Sequence, residues 1–254
     1  TGVWMMGWKC RARWSGCSWR HCRQQLLRRG LSMMRTSALA HNAHSDIQQS
    51  LIADHLDRLL HPDHLALHFQ PIIHTQRSGV QLEALLRLTD TTLGRINPET
   101  FLLVCELQGK TAEVDRMIVC NALDHLCNWR AQGLDAMAIS VNVAPVTLMH
   151  ESFAPWLGLQ LAQRGLPPRT LKLERTEHAV IALGPQMVAA ISALSALGVA
   201  VLMDDFGAGY SSLGMLAELP IAGIKCDRLF VRQLPQDRRR QKLLRHISCL
   251  LYTS

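Results

Sequence analysis

The run Val199 to Met203, followed directly by Asp204-Asp205, constrains the fold of this chain more than any other stretch. Five consecutive apolar residues do not alternate, so the strand they form is covered on both faces, as in a parallel sheet flanked by helices. The strand stops at two carboxylates. Gly207-Ala208-Gly209 then gives a loop with little side chain to block a ligand, and Ser211 or Ser212 can cap a following helix. Paired carboxylates at the carboxyl end of a parallel strand sit on the rim where α/β barrels and open sheets bind ligands. Taken alone, the pair fits turn and capping duty equally well.

The rest of the chain supplies more strands of the same kind. Ser45 and Gln48 form a capping box, and Ile47, Leu51, Ile52, Leu56, Leu59 and Leu60 recur at helical spacing up to Pro62. Leu65 to Ile73 reads as a strand. After a turn at Ser78-Gly79, Val80 to Leu88 alternates, with Leu82, Ala84, Leu86 and Leu88 on one side and Gln81, Glu83, Leu85 and Arg87 on the other. Helices are expected from Pro98, over about 114–132, from Pro145 through Trp156 and Leu161, and over 184–197. Strands are expected at 138–143, 171–174, 199–205 and 221–227, with a basic amphipathic helix over 237–247. Six strands separated by helices over about 200 residues indicate a parallel α/β fold, most simply a (β/α) barrel.

Composition excludes several alternatives. No apolar run approaches about 18 residues, so no transmembrane helix is expected. The formal charge of +7 arises in residues 1–45, which hold eight Lys or Arg and no acid; the remainder carries 19 basic against 20 acidic residues. The basicity therefore gives no reason to expect a nucleic-acid polymer as partner. The eight cysteines form no C-x-x-C pair, and Cys17, His21 and Cys22 match no common zinc spacing. Free thiols in apolar patterns fit a reduced, cytoplasmic compartment. Residues 1–44, with four of the six tryptophans in the first 35, show neither helical nor strand periodicity and read as a disordered or non-native segment.

Strand parity sorts the polar residues, because alternate residues share a face. Glu83 shares its face with Arg87, Asn142 with Ser140, Glu174 with Lys172 and Thr176, and Lys225 with Asp227. Their opposite faces are mainly apolar. Each strand thus turns one apolar face to covering helices and sets an ionisable or amide group on the other. Packing alone is a poor reason for this, since buried charges are costly unless paired or bound to a cation. Carboxylates and an amide oxygen suit hard divalent ions such as Mg²⁺ or Mn²⁺. An aspartate pair lets one carboxylate bridge two ions, Arg87 offers a bidentate phosphate contact and Lys225 a point charge. An internal ion-pair network without ligand is the competing reading.

The ordered motifs resemble the EAL family of cyclic di-GMP phosphodiesterases over about His64 to Val231. They are Gln70-Pro71-Ile72, Glu83-Ala84-Leu85 with Arg87, Ser140-Val141-Asn142, Glu174-Arg175-Thr176-Glu177, Asp204 through Leu213, and Ile224-Lys225-Cys226-Asp227. The resemblance implies a TIM-like barrel that hydrolyses cyclic di-GMP to linear pGpG with two Mg²⁺ or Mn²⁺ ions. By motif, Glu83, Asn142, Glu174 and Asp204 would hold the first ion and Asp204 with Asp205 the second. Lys225 would assist the attacking water. Gln70, Leu85, Arg87 and Asp227 would meet the dinucleotide, and Glu177 would steady the loop from Phe206 to Ser212. The resemblance also implies an upstream GGDEF or sensory domain and a homodimer when complete. The other readings are a non-catalytic cyclic di-GMP receptor and a different metal-dependent barrel hydrolase.

Three departures accompany the resemblance. Ala144 stands where the family commonly has Ser, and Arg175 replaces an apolar residue on the helix-facing side. Strands carrying A-E-G-V-E and Q-G motifs do not follow. The expected EAL segment is therefore 45–248, an incomplete barrel of about six of eight strand-helix units, with 249–254 a non-native tail. Two unpaired sheet edges and poor stability are expected of it, and, without the A-E-G-V-E glutamate that the resemblance places at the metal–water site, it is expected to be inactive alone.

Overall fold

The computed structural model describes residues 47–73, 80–176, 184–206 and 220–227, with 232, 236–239 and 241–242. The chain divides into units of residues 1–50 and 51–254; of the first, 47–50 are described and are helical. Ser45 and the turn at 78–79 lie outside the described residues, as does most of the expected 237–247 helix.

In the second unit residues 51–54 are helical, the helix breaks at His55, and α1 spans Leu56–Leu59. Ile52, Leu56, Leu59 and Leu60 are buried, whereas Ile47 and Leu51 of the expected stripe are exposed. β1 (Leu65–Ile72) and β2 (Val80–Asp90) follow. They pair antiparallel, which corrects the expectation of an all-parallel sheet; a short β3 (Gly94–Ile96) pairs antiparallel with the end of β2. From β2 onward the sheet is parallel: β4 (Met137–Asn142), β5 (Leu171–Thr176), β6 (Ala200–Phe206) and β7 (Gly223–Cys226). The order is β1-β2-β4-β5-β6-β7, with β1 and β7 outermost among the described strands.

Local chemistry sets the crossovers. α2 (Pro98–Leu107) starts where the Asn97 side chain accepts the Glu99 N–H at 2.9 Å, with Pro98 supplying a preset φ. α3 (Thr111–Ala131) buries Val114, Ile118, Val119, Ala122, Leu123 and Leu126, the spacing of one helical face. The expected helix from Pro145 to Leu161 is two, α4 (Pro145–Leu148) and α5 (Phe153–Gln163), separated by a turn at 149–152. α6 (Gly184–Leu197) enters β6 through Gly198, whose φ of 88° strains any side chain and where a Cβ would meet Pro168 Cβ at a tight 3.3 Å.

The outward strand residues Ala84, Leu86, Ile139, Val141, Leu171, Leu173, Val201 and Met203 join one core with Leu123, Phe153, Leu157, Met187 and Ile191 of the helices. Each of these side chains larger than alanine contributes about 1.5–3 kcal/mol of transfer free energy. Helices on the apolar face and polar groups on the other make this an incomplete TIM-like barrel, whose parallel strands end at one rim.

Asp90 anchors the turn beyond β2. Its buried Oδ1 accepts the N–H groups of Leu93 and Thr92, both at 2.8 Å, and Arg58 Nη2 lies 3.1 Å away. The Leu93 bond first, then Thr92 and the Arg58 charge, hold its carboxyl below the usual carboxylate range against the opposing effect of burial. A folded pKa below the unfolded value of about 3.9 adds stability above that pH, and this is lost as pH falls through the folded value. Asp90→Asn should therefore flatten the acid limb of a plot of thermal midpoint against pH. An acid limb of unchanged slope would rule out this role.

Candidate functional site

The inward faces of β2, β5, β6 and β7 bring four charged groups together. Lys225 Nζ donates to Glu174 Oε2 at 2.7 Å, Glu83 Oε2 at 2.9 Å and Asp204 Oδ2 at 3.0 Å. One carboxylate oxygen from each acid lies within 4.8 Å of the other two. Register explains the convergence. Glu83 is level with Ser140, Glu174 with Asn142, and Asp204 with Thr176, two residues beyond Glu174's level. In strands tilted as a barrel requires, such a stagger brings residues from successive strands to one height.

The environment of the cluster is strongly polarised. Glu174 is fully buried, and burial pushes its pKa up while Lys225 draws it down. Its second oxygen, Oε1, is buried and makes no hydrogen bond to protein. Burial disfavours the Lys225 charge, but its hydrogen bonds to Glu174 and Glu83 outweigh this and hold the ammonium well above its ordinary pKa. Three carboxylates around one cation, an unbonded buried oxygen and the neighbouring Asn142 amide form a donor set that fits a hard divalent ion.

Asp205 breaks the strand pattern. Its φ is 57°, its N–H donates to Asp204 Oδ1 at 2.8 Å, and the β6–β7 register shifts between Met203 and Phe206. A bulge of this kind re-aims side chains, and aspartate is among the few residues that adopt a left-handed conformation readily. Burial, then the charges of Asp204 and Asp227, push the Asp205 pKa up. Asp227 itself is half-buried, and its N–H donates to Phe206 O at 3.0 Å.

The other expected residues surround this centre. Gln70 is the cross-strand partner of Glu83 and is exposed. Arg87 lies four residues beyond Glu83 on the same face of β2, with Nη1 on its own strand's Leu86 carbonyl at 2.8 Å. Leu85 lies between them and is half-buried. Asn142 is exposed at the end of β4, beside Glu174. Glu177 lies outside the described residues, as do 207–212 of the loop it was expected to steady.

The family model described as the EAL domain matches residues 53–251. The chain belongs to the EAL domain family. It is 30% identical over 236 residues to the cyclic di-GMP phosphodiesterase NbdA of Pseudomonas aeruginosa, covering 89% of this chain and 30% of NbdA. The chain spans between a quarter and a third of the length of several curated relatives it matches. Among solved structures it is similar to the PaMucR phosphodiesterase in complex with c-di-GMP, with a TM-score of 0.70 and 29% identity, covering 80% of this chain and 83% of that one. It is also similar to the FimX EAL domain of Xanthomonas citri in complex with c-diGMP, with a TM-score of 0.71 and 25% identity, covering 81% and 80%.

Sequence reasoning passed over two members of the rim. Asp115 on α3 and Thr147 on α4 are buried behind Asn142, where Asp115 Oδ2 accepts the Ala144 N–H at 2.8 Å and the Thr147 hydroxyl at 2.6 Å. The one signal was an acid at a helix position flanked by the buried Val114, Ile118 and Val119.

Cys105 is buried, and burial pushes its thiol up to about 12, as for an inert apolar side chain.

Proposed function

We propose that this EAL domain hydrolyses cyclic di-GMP to linear pGpG. The observation that carries the reading is the meeting of Glu83, Glu174 and Asp204, from three strands, around Lys225 Nζ. Glu83, Asn142, Glu174 and Asp204 would hold one Mg²⁺ or Mn²⁺, and Asp204 with Asp205 a second. Such ions, when bound, activate water and neutralise charge on a phosphodiester.

The chain's own residues do the rest. Lys225, released from the carboxylates that the ions would take, holds the attacking water and offsets negative charge as the water oxygen joins phosphorus and the bond to one 3′ oxygen breaks. That oxygen leaves as a hydroxyl, and the other phosphodiester bond of the ring remains. Arg87, rotated from its backbone contact, and Gln70 orient the dinucleotide through phosphate and base edges. Leu85 and Asp227 line the same face. Glu177 takes its place here through the family resemblance.

The domain completed with strands that carry the A-E-G-V-E and Q-G motifs, incubated with cyclic di-GMP and Mn²⁺, should yield pGpG on anion-exchange chromatography. Excess chelator should abolish the product, and Glu83→Gln should lower the rate at least about 100-fold, as loss of one charge-stabilising contact does in a preorganised site. Binding of the dinucleotide without any product would replace this reading with that of a receptor.

A further inference from the structure

We propose that Arg175 is a positioning residue, which together with Asp115 and Thr147 aims Asn142 at the cation site from the helix side of the sheet. The inference rests on the reading of Asn142 as a cation ligand and assigns a task to residues that touch neither ion nor dinucleotide.

The segment after Asn142 is gripped at three consecutive backbone groups. Val143 N–H donates to Glu174 O at 3.4 Å, Arg175 Nη1 donates to Val143 O, and Ala144 N–H donates to Asp115 Oδ2 at 2.8 Å. Thr147 Oγ1 donates to the same Asp115 oxygen at 2.6 Å, which ties the first turn of α4 into the grip. Val143 and Thr147 are 1% exposed and Asp115 is 4% exposed. Arg175 follows Glu174 on β5 and so points to the opposite face of the sheet.

The arrangement is costly unless it does something. Burial pulls the Arg175 pKa down and pushes the Asp115 pKa up, each opposed by the other's charge, and Arg175 Nε is buried with no hydrogen-bond partner. A half-buried, incompletely satisfied cation is poor stabilisation compared with an apolar side chain at the same place. What it does provide is direction. With the carbonyl and amide that follow Asn142 both fixed, the Asn142 Cα–Cβ vector is fixed too, and a neutral amide ligand depends on aim because it lacks the charge that would compensate for a poor angle.

The test is Mn²⁺ affinity measured by calorimetry on the full chain. Arg175→Met and, independently of it, Thr147→Val should each weaken Mn²⁺ binding about tenfold, the lower end of what outer supports of a ligand contribute. Arg175→Lys, which keeps a cationic donor, should recover most of the loss. In an Asn142→Ala background Arg175→Met should cost no further affinity, because it acts through Asn142. Leu157→Ala, in the core away from the rim, should lower the thermal midpoint and leave Mn²⁺ affinity unchanged. Unchanged affinity in both Arg175→Met and Thr147→Val would overturn the proposal while leaving the cation site standing. An undiminished effect of Arg175→Met in the Asn142→Ala background would do the same. Failure of the unaltered chain to bind Mn²⁺ would overturn both this proposal and the functional reading beneath it.

Discussion

Glu174→Gln is expected to lower cyclic di-GMP hydrolysis by about a thousandfold or more while leaving the fold intact. The substitution keeps the side chain's volume at a position with no exposure, so its neighbours need not repack. It removes a charge from the most enclosed member of the cluster, where electrostatic interactions are screened least. It also replaces one oxygen by an NH₂ group. Turned toward Lys225 Nζ, now 2.7 Å from Glu174 Oε2, that group meets a donor with a donor; turned the other way, it points a donor where Oε1 now offers an unbonded lone pair. Neither orientation leaves a good ligand set for a divalent ion. Rates under saturating Mn²⁺, with far-ultraviolet circular dichroism as the check on folding, measure the effect. A folded variant retaining more than a tenth of the activity would remove Glu174 from the site.

Lys225→Met should destabilise the metal-free chain by about 3 kcal/mol, the low end of what removing one partner from a buried ion cluster costs. Three carboxylates share this ammonium, and their side chains are between 0% and 20% exposed, so little solvent replaces it. The thermal midpoint in chelator should fall accordingly. Saturating Mn²⁺ should then raise the midpoint of the variant by more than it raises that of the unaltered chain, because the added charge lands among unneutralised carboxylates. Hydrolysis should remain low even when the midpoint is restored, since Lys225 also acts on the attacking water. An unchanged midpoint in chelator would mean that Lys225 does not balance the cluster.

Much of this site was legible because a strand has a period of two. Parity alone set Glu83, Asn142, Glu174 and Lys225 on faces opposite the apolar residues that now pack under α3, α5 and α6. Strand direction was not legible, because β1 alternates the same way whether it runs parallel or antiparallel to β2. The break between α4 and α5 was hidden by the apolar residues that follow it at helical spacing, Phe153, Leu157 and Leu161. The bulge at Asp205 was hidden for a different reason: a left-handed φ leaves no mark in a run of acids. Asp115 escaped notice because an isolated acid on a helix reads as solvent-facing, and only the fold reveals the Ala144 amide and Thr147 hydroxyl it serves.

Anomalous scattering at the manganese edge from crystals soaked in Mn²⁺ tests most directly whether the rim cluster is a cation site. A peak within ligation distance of Glu83, Glu174 and Asp204, lost in Glu174→Gln crystals, is the predicted result. A fully soaked crystal with Lys225 still on all three carboxylates and no manganese among them would show that the cluster is an internal ion-pair network, and the catalytic reading would fall with it.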